Sequence, residues 1–156
     1  MTQRALKTAL GLRLLGVLLA LSACAPAADV AQTPPTTYAG PYDAVFSATL
    51  QLVTQDPGVP GYNPGGINGY WRAPSGPWLV TSSDRQAGLI AAQARSQAAG
   101  FIGSGAAPDV HSVNILIVPL SEDPPRTQVT VQGTARSRLL QNRLQRALTE
   151  RFGRVP

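Results

Sequence analysis

Residues 112–120 (SVNILIVPL) and 126–135 (RTQVTVQGTA) stand on either side of the short break SEDPP. The first run is apolar and β-branched and is bounded by turn residues, which is strand chemistry. The second alternates, with Val129 and Val131 on one face and Thr130 and Gln132 on the other. A period of two suits a pleated strand with one dry face, and two such runs across a short turn pair as a hairpin. A hairpin buries nothing by itself, so the rest of the chain has to supply cover.

That cover is legible on both sides. At 100° per residue Tyr42, Val45, Phe46, Thr49, Leu50, Leu52 and Val53 fall on one arc, and Asp43, Ser47, Gln51, Thr54 and Gln55 on the other. The spacing predicts an amphipathic helix over 41–55, with Gly40 as N-cap, Pro41 in the first helical position and Asp56-Pro57-Gly58 as the stop. A second helix is predicted after Ser137 as N-cap, with Leu140, Leu144, Ala147, Leu148 and Phe152 on one face and Gly153 as its C-terminal cap. Between the helices the sequence predicts another hairpin: strand 78–83, turn 84–88 (DRQAG) and return strand 89–95. The alanine-rich return run also suits a helix. The order helix, four strands in two hairpins, helix predicts an α+β fold: a two-layer sandwich, with a four-stranded antiparallel sheet covered by two helices on one face.

Two long stretches rich in glycine or proline interrupt this pattern. Residues 56–77 carry Tyr62, Tyr70 and Trp71, and 96–110 carry three glycines and Pro108. Long loops inside a compact domain are often functional. Aromatics there could stack on a partner or fold back over the core.

The amino terminus has a separate logic. Residues 1–13 hold Arg4, Lys7 and Arg13 and no acid; 14–21 (LLGVLLAL) are apolar; then comes Leu21-Ser22-Ala23-Cys24. Eight apolar residues suit an export signal and fall far short of the roughly 20 that span a bilayer. The four residues ending at Cys24 resemble the lipobox of bacterial lipoproteins. The resemblance implies a signal peptide over 1–23, cleavage before Cys24, a diacylglyceryl group on its sulfur and, commonly, an acylated (palmitate-type) new amino terminus. Ala25 in place of Asp implies the outer membrane, with the domain facing the periplasm. Residues 25–40 (APAADVAQTPPTTYAG) read as a small-residue, proline-bearing tether, which leaves 41–156 as a single α+β domain. That element order and the phrase Asp84-Arg85-Gln86-Ala87-Gly88-Leu89-Ile90 are also similar to small α+β domains of envelope lipoproteins, including modules of outer-membrane assembly accessory lipoproteins.

Charge and residue inventory narrow the function. The formal net charge is +5. Removing Arg4, Lys7 and Arg13 with the signal leaves ten arginines against eight acids, a net of +2. That is little for displacing counterions from nucleic-acid phosphates, so no nucleic-acid partner is expected. A single cysteine excludes an intramolecular disulfide and multi-cysteine metal sites. No phosphate loop, dinucleotide fingerprint, HExxH or nucleophile elbow is present, and no cofactor is expected. His111, two residues from Asp109, is the one place where a general base could sit. Six arginines lie within 136–154, among them Arg143 and Arg146. The sequence therefore predicts a membrane-anchored, non-catalytic lipoprotein that binds a partner protein or envelope polymer through Tyr62, Tyr70, Trp71, Arg143 and Arg146. The alternatives are a hydrolase of envelope polymers centred on His111 and a carrier of a small apolar ligand between sheet and helices.

Overall fold

The computed structural model describes residues 30–61, 74–96 and 109–156. Its elements are β1 (Val30–Gln32), β2 (Thr36–Tyr38), α1 (Tyr42–Gln55), β3 (Leu79–Asp84), β4 (Leu89–Arg95), β5 (Val110–Glu122), β6 (Pro125–Thr134), a single 3-10 turn (Ala135–Ser137), α2 (Arg138–Phe152) and β7 (Arg154–Val155). The fold is α+β. Every strand pairing is antiparallel, and the order across the sheet is β3-β4-β5-β6-β2-β7. β1 pairs with the far end of β6, in line with β2.

The expected four-stranded sheet is thus corrected: among the described residues it has seven strands in six lanes. The additions come from the stretch read as tether and from the last residues of the chain. Val30 pairs with Thr134 and Gln32 with Gln132; Thr36 pairs with Val129 and Tyr38 with Thr127. Tyr38 is buried in the core. The break at Thr33-Pro34-Pro35 separates two short strands instead of marking a free spacer. It is pinned where the Thr33 N–H and hydroxyl donate to the Val131 carbonyl, at 3.0 and 3.2 Å.

The two central hairpins form where the alternation places them. β5 pairs with β4 through Leu89↔Leu116 and Arg95↔Val110, and with β6 through Ile115↔Val131 and Ile117↔Val129. The alanine-rich run 89–95 is a strand, because its Ile90, Ala92 and Ala94 side chains complete the buried face. In the turn before it, Asp84 Oδ1 accepts from the N–H groups of Gln86 and Ala87, at 2.9 and 3.0 Å. A short acidic side chain does this at the mouth of a turn.

Both helices cover the same sheet face. α1 buries Val45, Phe46, Ala48, Thr49 and Val53; α2 buries Leu140, Leu144 and Leu148. These close over Ile90, Val113, Ile115, Ile117, Val129 and Val131 in one core. The Thr49 hydroxyl is satisfied inside that core by donating to the Val45 carbonyl at 2.7 Å. α1 begins one residue later than expected, with Pro41 as the N-cap. It ends at Asp56, whose extended backbone is what a residue before proline favours.

Ser137 does not cap α2. The chain enters that helix through the 3-10 turn, so Ser137 already has helical backbone angles. Its hydroxyl donates to the Thr134 carbonyl at 2.7 Å and accepts from Gln141 Nε2 at 3.1 Å. Gly153 closes the helix as expected, with φ of 70° and its N–H donating to the Thr149 carbonyl at 2.9 Å.

Tyr38 gives this fold an alkaline signature. Burial pushes its hydroxyl pKa above the ordinary 10.0, against the opposing pull of hydrogen bonding to Thr149 and Thr36 and of the nearby Arg154 charge. The folded state therefore favours the neutral phenol more than the unfolded chain does. That contribution is whole below pH 10 and is lost as pH climbs toward the raised value. Urea midpoints measured across this range should fall more steeply for the native protein than for Tyr38→Phe. Equal slopes would remove Tyr38 as the cause.

Candidate docking face

Among the described residues the helices cover one face of the sheet and leave the other open. In β5 the side chains of His111, Val113, Ile115 and Ile117 point into the core, so Asn114, Leu116 and Val118 point out. Register then assembles rows across the strands. Leu89, Leu116 and Thr130 stand side by side; Ala91, Asn114 and Gln132 form the next row; Val118 and Gln128 lie on the other side. Leu116 is 45% exposed, Val118 37% and Leu89 36%, although strand geometry would allow any of these positions to be polar. Side chains of Leu89, Asn114, Leu116, Thr130 and Gln132 line a shallow concavity of about 380 Å³. Apolar floor and amide rim in one shallow hollow are features of a contact surface, where a few buried anchors are ringed by groups that fix orientation.

A smaller concavity of about 270 Å³ lies at the end of this face, among Tyr42, Arg85, Gln86, Gly88 and Val118. Here the β3–β4 turn is stapled to α1. Arg85 donates to Asp43 Oδ1 at 3.1 Å and to Ser47 Oγ at 3.0 Å, and its guanidinium lies 5.3 Å from the centre of the Phe46 ring. The Tyr42 hydroxyl donates to the Arg85 carbonyl. The β3–β4 turn is therefore a packed joint between sheet and helix. The exposed Arg85–Asp43 pair contributes ~0.5 kcal/mol.

His111 is buried on the helix-covered face. Arg136 Nη1 lies 3.4 Å from its Nε2, and Arg136 Nη2 donates to the Pro60 carbonyl at 3.4 Å. A guanidinium only donates, so this contact is a hydrogen bond only in the tautomer whose Nε2 carries no proton. Asp109 stands exposed just before the strand.

The residues expected to meet a partner divide. Cys24, Tyr62, Tyr70 and Trp71 lie outside the described residues. Arg146 is at the surface of α2. Arg143 is turned to an internal task. Its Nη1 donates to both oxygens of Asp56, at 2.9 and 2.8 Å, and to the Gly58 carbonyl at 3.3 Å. The Asp56 side chain is 4% exposed, and its Oδ1 also accepts the Gly58 N–H at 2.8 Å. Arg143 thus ties α2 to the end of α1.

Leu89, Leu116 and Val118 were not among the expected contact residues. For Leu116 and Val118 the signal is present in VNILIVPL, where both parities are apolar although only Val113, Ile115 and Ile117 enter the core. Between sheet and helices the buried apolar side chains of the described residues form one core. Comparison of the chain with family models, with curated proteins and with solved structures gave no significant match.

Proposed function

We propose that the chain is a lipid-anchored lipoprotein of the bacterial cell envelope, and that its domain holds a partner protein or envelope polymer against the open face of the sheet without catalysing a reaction. The lipid on Cys24 supplies location, at the outer membrane facing the periplasm, and the sheet supplies contact. The observation that carries the docking half is the row Leu89-Leu116, with Val118 beside it, set exposed among Asn114, Thr130 and Gln132. The anchoring half rests on Leu21-Ser22-Ala23-Cys24 after a short apolar run. The aromatics Tyr62, Tyr70 and Trp71 are candidate extensions of the contact surface, whereas Arg146 lies on α2, in the layer over the opposite sheet face.

Two measurements test the two halves. Mass analysis of the exported product should find residue 24 as its amino terminus, carrying acyl chains, and Cys24→Ser should abolish that mass. A photo-crosslinking residue placed at position 116 in intact cells should yield a discrete adduct. The same residue in place of Asn142, exposed on the helical side, should not. Equal labelling from both positions would sink the docking reading and leave the anchor untouched.

A further inference from the structure

We infer that the pole of the domain where β1 begins is a membrane-contact surface, which lays Arg95, Arg138, Leu79, Val110 and Leu139 against anionic lipid headgroups. The inference rests on the proposed acylation of Cys24 and adds an orientation to it.

Strand directions define the pole. β1 starts at Val30, opposite Thr134 at the end of β6. β5 starts beside it at Val110, opposite Arg95 at the end of β4, and Leu79 starts β3 in register with Gln93. α2 also starts here, at Arg138, directly after the 3-10 turn. The opposite pole holds the β3–β4 turn, the β5–β6 turn and the start of α1.

Chain length then fixes which pole the membrane meets. Val30 follows Cys24 by six residues, and an extended chain covers at most ~3.5 Å per residue, so the leash is ~20 Å or less. β5 alone, at 13 residues, spans about 40 Å. A leash half the length of the domain cannot bring the opposite pole to the surface ahead of the near one. The sixteen-residue tether suggested by composition would have allowed it.

Surface chemistry at the two poles agrees with that constraint. Among the described residues the near pole carries Arg95, Arg136 and Arg138 against one exposed carboxylate, Asp109. The far pole carries Asp43, Asp84, Glu122, Asp123 and Glu150 against Arg85, Arg126, Arg151 and Arg154. Apolar side chains are displayed among the near-pole arginines: Leu79 is 65% exposed, Val110 48% and Leu139 41%. Basic and apolar groups together suit a headgroup layer, where cations meet lipid phosphates and apolar tips enter the acyl boundary. At the far pole the exposed Leu120 is followed closely by Glu122 and Asp123, which an anionic surface repels.

The test uses the full acylated protein in vesicles of phosphatidylcholine with phosphatidylglycerol, carrying a quencher in the headgroups. Because Cys24 is acylated, Leu139→Cys or Gln86→Cys supplies a single free thiol for a fluorophore, at the near and far pole respectively. The label at 139 should be strongly quenched and the label at 86 should not. Arg95→Gln with Arg138→Gln should shift the contact equilibrium at 139 by about tenfold or more, since each basic residue near such a surface is worth about fivefold. A flexible insertion of about fifteen residues between Asp29 and Val30 should release the contact in the same sense. Equal quenching at 139 and 86 in protein shown by mass to be acylated would overturn the orientation alone. An unmodified Cys24 would overturn the anchoring reading and the orientation with it.

Discussion

Arg143→Ala is expected to lower the unfolding free energy by about 2–3 kcal/mol. The reason lies with the partner left behind. Asp56 is 4% exposed, and its carboxylate takes two contacts from Arg143 Nη1 at 2.8–2.9 Å. Removing the guanidinium leaves a charged group facing the interior with the Gly58 N–H as its remaining donor among the described contacts. The Gly58 carbonyl loses a donor as well. Arg143 is itself 44% exposed, which lets water reach the gap and keeps the loss below that of a wholly buried pair. Adding Asp56→Asn to Arg143→Ala should restore part of the stability, because a stranded amide costs less than a stranded carboxylate. Arg146→Ala, three residues away at the surface, should change stability by no more than about 0.5 kcal/mol. Denaturant titrations of the native protein and these three variants read this directly. An Arg143→Ala loss no larger than that of Arg146→Ala would show the pair to be idle. The same series bears on partner binding: an Arg143 variant that loses a partner only in proportion to its lost folding assigns the residue to the frame rather than the contact.

That reassignment illustrates what the sequence could not hold. Arg143 and Asp56 are 87 residues apart, and nothing local marks either as belonging to the other. Their meeting follows from two helices packed on one sheet face, a tertiary fact. The helices themselves, the two central hairpins and the α+β class were legible, because each rests on a pattern sustained along a whole element. β1 and β2 were not. VAQ and TTY are three residues each, too short to display a period of two, and Pro34-Pro35 between them reads as a spacer. Their strand state comes from the edge of β6, which offers its hydrogen-bonding groups, and from a buried place for Tyr38. β7 is shorter still and depends on the turn at Gly153. The docking face was half visible. Alternation in β6 announced a wet side, but the apolar residues at both parities of β5 hid which positions lay on it.

Gly88→Val should lower stability by about 3–4 kcal/mol. Two separate effects add there. Gly88 has φ of 67°, a region that side-chain-bearing residues enter with strain of ~1 kcal/mol or more. A Cβ at this position would also stand 2.1 Å from the Ile117 carbonyl oxygen, a backbone atom in the middle of the sheet that cannot swing aside. The Gly88 carbonyl accepts the Ile117 N–H at 2.8 Å, so relieving the clash means giving up that bond. Other glycines separate the two effects. Gly153 has φ of 70° with nothing within 4 Å of its Cβ position, so Gly153→Ala reports strain alone, ~1 kcal/mol or more. Gly76 has open space and no positive φ, so Gly76→Ala should be nearly neutral. The order Gly88 far above Gly153, and Gly153 above Gly76, is the expected result of thermal or urea unfolding. Gly88→Ala should fall between Gly88→Val and Gly153→Ala, since it meets the same carbonyl without the β-branch. A Gly88→Ala loss equal to that of Gly153→Ala would mean that the sheet yields at Ile117. The Leu89–Leu116 row beside it would then be soft, and a soft row would be a poor floor for docking a rigid partner. A loss near ~3 kcal/mol would instead mark that row as held firmly from behind, as a preorganised contact surface requires.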